Sequence, residues 1–256
     1  MAAGKKYKIL FVTSELFPFV KTGGLADVSS SLPQELSELG HEVRIVVPRY
    51  GAIDTRKFKI HDVVRLKNFS LKLGEREALF SVKSSFLPVS KNRVQVYFLD
   101  NEEYFGSRKS LYVDILKGTW YEDNYERFTL FSRGVLELVK KLGWAPDIIH
   151  ANDWQTALVP AFLKTNYQND EFFAKCKSLF TIHNFVYGGE FAPEAFASTG
   201  LPDAFKSDDF IIHNGRMNFL KAGIKFADHV NTVSPGYRNE VLNDPSMTNG
   251  LATFLA

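Results

Sequence analysis

The stretch that decides the fold is residues 7–48, YKILFVTSELFPFVKTGGLADVSSSLPQELSELGHEVRIVVP. Its apolar run at 7–13 is typical of a strand covered on both faces. After a polar loop, apolar residues recur at helical spacing over 25–39, and Gly40 stands where a helix often ends on a left-handed residue. The run at 42–47 predicts a second strand. Together these segments predict a strand–helix–strand unit.

The same alternation resumes in the second half of the chain. The predicted strands are 147–150, 178–182 and 229–233, and the predicted helices are 121–142, 154–166, 219–226 and one beginning at Ser234-Pro235. Strands that alternate with helices predict an α/β fold, a Rossmann-like, doubly wound and mostly parallel sheet. Between these halves, short strands at 63–66, 71–73, 78–86 and 94–99 predict an antiparallel β excursion, followed by an ordered loop at 100–120.

Composition excludes several classes of protein. With 31 basic and 29 acidic residues the net charge is +2, so nothing favours nucleic acid or an acidic membrane as a partner. No apolar run reaches the roughly 20 residues of a membrane helix, and Glu15 follows the first strand too early for a secretory signal. The single cysteine, Cys176, fits a reducing compartment. We therefore expect a cytoplasmic protein. The segment 249–256 has no recognisable terminal element, so we also expect the chain to continue.

Polar residues follow several predicted strands. Parallel strands place their carboxyl ends at one edge of the sheet, where such folds bind ligands. The residues expected to converge there are Lys21 to Asp27, His150 to Asp153, His183, Asn184 and Ser234.

The Lys21-Thr22-Gly23-Gly24 loop has two interpretations. Glycines let a backbone approach a ligand, and the following helix offers free N–H groups to a diphosphate, with Lys21 adding charge. A flexible turn with a solvated lysine explains the same residues. The loop lacks G-x-G-x-x-G, and no P-loop or G-x-S-x-G motif occurs, which argues against NAD enzymes, P-loop NTPases and α/β-hydrolases.

The later polar residues also have alternatives. Asp153 is a candidate to orient a sugar hydroxyl or stabilise positive charge at an anomeric carbon, or else a helix N-cap. His183 could hydrogen-bond a sugar hydroxyl or be satisfied within its loop, and His150 could be a packed core residue. The spacing of these residues matches no zinc pattern, so we expect no metal. The aromatic residues near the excursion could stack on sugars or pack in the core; they are Tyr104, Phe105, Tyr112, Trp120 and Tyr121.

These segments resemble a known family. Lys21-Thr22-Gly23-Gly24-Leu25-Ala26-Asp27-Val28 is similar to the K-x-G-G-L-x-D-V signature of bacterial glycogen synthases and plant starch synthases. Further similar segments are Ser14 to Pro18, His150-Ala151-Asn152-Asp153-Trp154, Thr181-Ile182-His183-Asn184, Asn218 to Ile224, Ala227-Asp228 and Val233-Ser234-Pro235. The matches run in family order from residue 7 to about 255.

The resemblance implies the N-terminal half of a GT-B fold, so that 1–256 is an acceptor-side Rossmann-like domain without the C-terminal nucleotide-binding domain. The family implies a retaining glucosyltransferase that moves glucose from ADP-glucose or UDP-glucose to the non-reducing 4-hydroxyl of an α-1,4-glucan, without a metal or other cofactor. The resemblance implies catalytic roles for Asp153 and His183, and substrate-binding roles for Lys21, Gly24, Asp27, Tyr112 and Asn184.

The chain departs from the family pattern at two places, and both leave the fine tuning of the donor pocket open. The family often has histidine where this chain has Asn152, and often has glutamine in the segment after His183-Asn184, where this chain reads Tyr187-Gly188-Gly189. Since a GT-B site needs both halves, we expect this chain alone to be inactive. The alternatives are a free-standing glucan-binding or regulatory module and another GT-B transferase such as a sucrose-synthase-like enzyme, against which the Lys21–Leu25 segment argues.

Overall fold

The computed structural model describes residues 5–73, 76–88 and 90–255, and its largest element is a mixed nine-stranded sheet. The predicted domain 1–256 thus includes residues 1–4, 74, 75, 89 and 256, which lie outside the described part. The strands are β1 Lys8–Val12, β2 Glu42–Pro48, β3 His61–Asp62, β4 Phe69–Leu73, β5 Arg76–Phe86, β6 Gln95–Asp100, β7 Val113–Asp114, β8 Thr119–Trp120, β9 Ile148–Asn152, β10 Lys177–Ile182, β11 Glu190–Phe191, β12 Ile212–His213, β13 Arg216–Asn218 and β14 His229–Thr232.

The sheet has the order β14-β10-β9-β1-β2-β6-β5-β3, with β4 also paired to β5. Neighbouring strands from β14 to β6 are parallel, and β5 runs antiparallel to β6, β3 and β4. The predicted mostly parallel sheet with an antiparallel excursion is therefore confirmed. One detail differs, because the strand predicted at 94–99 is β6, which lies parallel to β2 in the main sheet.

The helices are α1 Gly24–Glu38, α2 Asn124–Leu142, α3 Leu158–Lys164, α4 Phe219–Phe226 and α5 Pro235–Asn243. Helix α2 ends as predicted at Gly143, whose φ of 64° is the left-handed conformation that glycine adopts without a Cβ clash. Helix α5 begins as predicted, with the Ser234 hydroxyl accepting the Tyr237 N–H at 3.0 Å. No helix in the described ranges is both long and apolar enough to cross a bilayer.

The segment predicted as a strand at 63–66 is instead a single 3₁₀ turn, Val64–Leu66, after the short strand β3. The Leu66 N–H donates to the Val63 carbonyl at 2.8 Å. This turn buries Leu66 at 3% exposure and leaves Val64 at 81%. The burial of Leu66 in this turn contributes roughly 2 kcal/mol.

The helix predicted at 154–166 is interrupted. It begins as a 3₁₀ turn, Trp154–Thr156, and only α3 is α-helical. The Thr156 hydroxyl accepts the Asn152 N–H at 2.6 Å and donates to the Asn152 carbonyl at 2.8 Å. A side chain that bonds backbone groups in this way competes with the regular helical ladder.

The predicted loop at 100–120 is ordered and contains two small elements. These are a π-helical turn, Glu102–Gly106, and the hairpin β7–β8. The buried Arg127 of α2 holds this loop, donating to the Tyr104 carbonyl at 2.7 Å and to the Leu111 carbonyl at 2.9 Å. Arg127 is 0% exposed, and its bonds through Nε and Nη1 offset part of the hydration that burial removes, whereas its Nη2 finds no partner among the described residues. The loop therefore has a defined position beside the sheet.

Candidate functional site

The carboxyl ends of β1, β9 and β10 lie side by side in the sheet. The residues that follow these strands, including Glu15, Asp153 and His183, line a cavity of about 550 Å³. Gly23 and Gly24 at the start of α1 line the same cavity. The predicted convergence at this edge is thus present in the structure. Ser234 was also expected at this edge, but it is not among the residues that line the cavity, and its side chain caps the N-terminus of α5.

Asp153 is held in a strained position at the end of β9. Its φ is 59°, a conformation uncommon for a residue with a side chain. Its Oδ1 accepts the backbone N–H of His183 at 2.7 Å, and it makes no cap bond to the turn that follows. Asp153 thus occupies the N-cap position of the Trp154–Thr156 turn, as one interpretation predicted, but its side chain bonds His183 and does not cap the turn. Burial raises the pKa of Asp153 to about 7, although the N–H groups of His183 and Asn184 lower it in part.

Asn152 orients the ring of His183. The Asn152 Nδ2 donates to the carbonyls of Val12 at 3.1 Å and His150 at 3.2 Å, which assigns the amide orientation. Its Oδ1, 3.0 Å from His183 Nε2, must then accept from that nitrogen. The His183 proton therefore resides on Nε2, and Nδ1 is the acceptor. Burial lowers the pKa of His183 to about 4, so the ring is neutral at pH 7.

His150 belongs to the core beneath this site. Its Nε2 lies 2.6 Å from the Thr181 hydroxyl, and its ring packs edge-on against Phe11 with centroids 4.8 Å apart. Burial, with a smaller effect from His183, lowers the pKa of His150 to about 4. The structure supports the core interpretation for this residue.

Glu15 organises the glycine loop, a role that the sequence analysis missed. Its buried carboxylate accepts the Thr22 N–H at 2.6 Å, the Gly23 N–H at 3.1 Å and the Thr22 hydroxyl at 2.5 Å. Charge-assisted bonds of this kind are about twice as strong as neutral ones. The sequence did contain a signal for this role. It is an acidic residue that follows a buried strand and precedes glycines whose backbone N–H groups can donate.

Tyr112 closes one side of the cavity from the 100–120 loop. Its hydroxyl lies 2.8 Å from the Ser14 hydroxyl and donates to Glu15 at 2.9 Å. Burial raises the pKa of Tyr112 well above its usual value, so the phenol stays protonated. Of the other aromatic candidates, Tyr104 and Phe105 are buried core residues, whereas Trp120 is 46% exposed and lines the cavity.

The other predicted site residues lie either at the cavity or beside the glycine loop. Asn184 lines the cavity, and its Oδ1 accepts the Val186 N–H at 2.9 Å. Lys21 and Asp27 form an ion pair with each other, with Nζ 2.6 Å from Oδ2, and both side chains are about half exposed. Lys21 is therefore paired with Asp27 next to the glycine loop. The binding role of each residue stays a prediction.

Over the described ranges, no three His, Cys, Asp or Glu side chains are grouped as metal ligands would be. The expectation that the protein uses no metal stays a prediction. The charges available for an anionic ligand at this edge are the Lys21 ammonium and the N-terminus of α1.

Comparison with known proteins identifies relatives along the whole chain. The family model described as the starch synthase catalytic domain matches residues 8–256. The glycogen synthase of Chlorobaculum parvum is 41% identical over 249 residues, 97% of this chain and 50% of the relative. The glycogen synthase of Pelodictyon phaeoclathratiforme is 42% identical over 253 residues, 98% of this chain and 50% of the relative. The chain thus spans about half the length of these curated relatives.

A solved structure shares the fold. The catalytic domain of starch synthase IV from Arabidopsis thaliana, bound to ADP and acarbose, superimposes with a TM-score of 0.85 at 27% identity. The superposition covers 98% of this chain and 49% of that one. The predicted half of a GT-B fold is confirmed by this match.

Proposed function

This chain belongs to the starch synthase catalytic domain family, and on that basis we propose that it is the N-terminal, acceptor-side domain of a retaining glucosyltransferase. The donor is ADP-glucose or UDP-glucose, and the acceptor is the non-reducing 4-hydroxyl of an α-1,4-glucan. The bond from the glucose C1 to the diphosphate breaks, a bond from C1 to the acceptor oxygen forms, and the acceptor proton leaves with the diphosphate. We place this protein in the cytoplasm, without a metal or other cofactor.

The observation that carries the proposal is the cavity at the carboxyl ends of β1, β9 and β10, where Asp153, His183 and the glycine loop meet. Each of these groups has a proposed role in sugar transfer. The Asp153 carboxylate stabilises positive charge that develops at C1. The neutral His183 offers Nδ1 to a glucose hydroxyl, because Asn152 occupies Nε2. Asn184 is a neighbouring contact for the sugar.

The donor diphosphate is proposed to lie against the glycine loop. Glu15 presents this loop by holding the backbone of Thr22 and Gly23. A Cβ placed on Gly24 would meet nothing within 4 Å, so the space next to it is open to a ligand. Lys21 would exchange its pairing with Asp27 for a phosphate oxygen, leaving Asp27 near the acceptor. Fixed positive groups at the leaving diphosphate stabilise charge that grows in the transition state.

Half of the site is proposed to come from the remainder of a longer polypeptide, as the half-length match to the relatives suggests. Two domains must then hold donor and acceptor in register. Residues 1–256 alone should therefore transfer no glucose and bind nucleotide sugar weakly in calorimetry. Turnover by residues 1–256 would contradict a two-domain site.

The test uses the full-length protein and measures incorporation of radiolabelled glucose into glycogen from ADP-glucose and from UDP-glucose. His183→Ala and Lys21→Ala should each lower kcat/KM by roughly 100-fold, because each removes a contact to the reacting sugar or its leaving group. Matched controls are His61→Ala and Lys91→Ala, which change an exposed histidine on β3 and an exposed lysine ion-paired to Glu38. If wild type transfers neither sugar, the synthase proposal is wrong. Glucan binding without transfer would instead support the module alternative.

A further inference from the structure

One buried carboxylate joins two walls of the cavity. Glu15 follows β1 and is 4% exposed. Its Oε2 accepts the backbone N–H groups of Thr22 at 2.6 Å and Gly23 at 3.1 Å. Its Oε1 accepts two hydroxyl groups, one from Thr22 at 2.5 Å and one from Tyr112 at 2.9 Å. The glycine loop and the 100–120 loop, which both line the cavity, therefore meet at a single side chain.

The bonds to this carboxylate depend on one another. A buried carboxylate is stable only where hydrogen-bond donors replace the water that it has lost. The donors to Glu15 come from two separate loops, and Tyr112 lies 97 positions away along the chain. Removing the donor of one loop leaves the carboxylate less well solvated, so its position relative to the remaining donors changes. A change in one loop is therefore transmitted to the other.

On one side, Glu15 sets the direction in which α1 begins. Gly23 is the N-cap residue of that helix and has no side chain with which to cap it. The first N–H groups of a helix have no partner within the helix, and they attract anions. Gly24 and Leu25, the first two helical residues, line the cavity. Because Glu15 holds the Gly23 N–H, it fixes the residue from which these groups project.

On the other side, Glu15 holds the base of the hairpin β7–β8. Tyr112 directly precedes β7, and its carbonyl accepts the Tyr121 N–H at 3.0 Å, just after β8. The Tyr112 ring lies 6.2 Å from the Trp120 ring, at an interplanar angle of 23°. At the tip of the hairpin, by contrast, Leu116 is 98% exposed. The hairpin is thus held at its base, and a shift of Tyr112 moves Trp120 at the cavity wall.

We propose that Glu15 is a positioning residue that couples the glycine loop to the hairpin β7–β8, so that the start of α1 and the ring of Trp120 keep one arrangement around the cavity. The coupling acts in both directions, because an interaction free energy between two sites is the same from either side. A change at Tyr112 therefore loosens the glycine loop, and a diphosphate bound at the glycine loop restrains the hairpin. The inference rests on the proposed function only for the identity of that diphosphate.

The first test measures amide hydrogen exchange in the full-length protein without a ligand. Tyr112→Phe keeps the ring and removes the hydroxyl that donates to the carboxylate. Exchange at the amides of Thr22 and Gly23 should rise by roughly threefold to tenfold, although the substitution lies in the other loop. Tyr104→Phe is the matched control, because it removes a hydroxyl of the same 100–120 loop that donates to Glu126 at 3.1 Å. The control should leave both amides unchanged.

A double-mutant cycle separates this coupling from a general loss of stability. In Glu15→Gln the connection is already weakened. Adding Tyr112→Phe to it should raise exchange at the two amides much less than the same substitution does in wild type. Equal increases in the two backgrounds, or no increase in wild type, would overturn the proposal.

Nucleotides separate this inference from the function it rests on. ADP and UDP are added in turn to the full-length protein, and whichever binds should slow exchange in wild type both at the glycine loop and over residues 113–120. In Tyr112→Phe the same nucleotide should still protect the glycine loop but lose most of its effect over 113–120. Equal protection of 113–120 in both proteins would overturn the coupling and leave the function standing. If neither nucleotide binds, the proposed function fails, and the ligand-free cycle still decides the coupling.

Discussion

Replacing Asp153 with asparagine tests the electrostatics of the candidate site. The carboxyl is buried, and its Oδ1 accepts the His183 N–H at 2.7 Å. Asparagine has nearly the same shape and can accept the same bond, but it does not titrate. The substitution therefore removes the ionisation while keeping the geometry. We expect Asp153→Asn to stabilise the folded chain at neutral pH relative to wild type.

The magnitude follows from the shift of the pKa from 3.8 to about 7. The folded protein holds this proton more tightly than the unfolded chain. The stability from Asp153 is thus fully present below the unfolded pKa and is lost as pH rises toward 7. Each pKa unit corresponds to about 1.4 kcal/mol, and the loss flattens as pH reaches the folded pKa, so between about pH 5 and pH 7 wild type should lose roughly 2 kcal/mol that the variant keeps.

Two histidines titrate in the same range with the opposite sign. Because burial lowers the pKa of both His150 and His183 to about 4, protonating them destabilises the folded chain as pH falls from the unfolded value of 6.5. These effects occur in both proteins and cancel in the difference between them. The difference in unfolding free energy, rather than either stability alone, is the quantity to measure.

The measurement is urea unfolding of wild type and Asp153→Asn at several pH values between about 5 and 7. The gain of the variant over wild type should grow with pH and level off above pH 7. Asp203→Asn, at an exposed position, provides the matched control. A gain that stays constant across this range would refute the assignment of Asp153 as a buried, proton-binding carboxyl.

Three further substitutions test the glycine-rich segments and their support. Gly189→Ala should cost roughly 1–3 kcal/mol in urea unfolding, because φ is +63° and a Cβ would lie 2.6 Å from the Trp154 ring. Gly118→Ala is the control, since Gly118 has a similar φ but a Cβ there would meet open space. An equal loss of stability in both variants would show that the ring contact is unimportant. Glu15→Gln should speed amide exchange at Thr22 and Gly23 and cost roughly 2 kcal/mol, because an amide replaces a carboxylate that accepts four bonds. Unchanged exchange would contradict its role in the loop. Gly24→Ala should keep the stability of the folded chain or raise it by up to about 1 kcal/mol, since a Cβ at this helix position meets open space. In the full-length protein the same substitution should weaken donor binding. An unchanged affinity for the donor would argue against a phosphate at this loop.

The sequence by itself determined the fold class and most of its elements. Apolar residues recur with the period of a strand or of a helix, because local backbone geometry and burial impose those periods. For the same reason the edge carrying Asp153 and His183 could be predicted, since parallel strands place their carboxyl ends together. The helix end at Gly143 followed from glycine chemistry alone.

Other features depended on contacts between residues distant in sequence. The pairing of β6 with β2 joins segments about 50 residues apart, and nothing local distinguishes it from membership of the excursion. Asn152 and His183 are 31 positions apart, so the tautomer of His183 is set only when β9 and β10 pair. Glu15 and Tyr112 are 97 positions apart, and Tyr112 lies in a loop that Arg127 holds through the Leu111 carbonyl.

The pKa of Asp153 likewise depends on its burial. The sequence does not give that burial, because an aspartate that follows a strand is equally often exposed to water. Sequence thus determined which residues reach the sheet edge, since a helix between two strands brings the second strand back parallel to the first. Tertiary structure alone decided their protonation and their partners, because burial and long-range pairing arise only when the elements pack together.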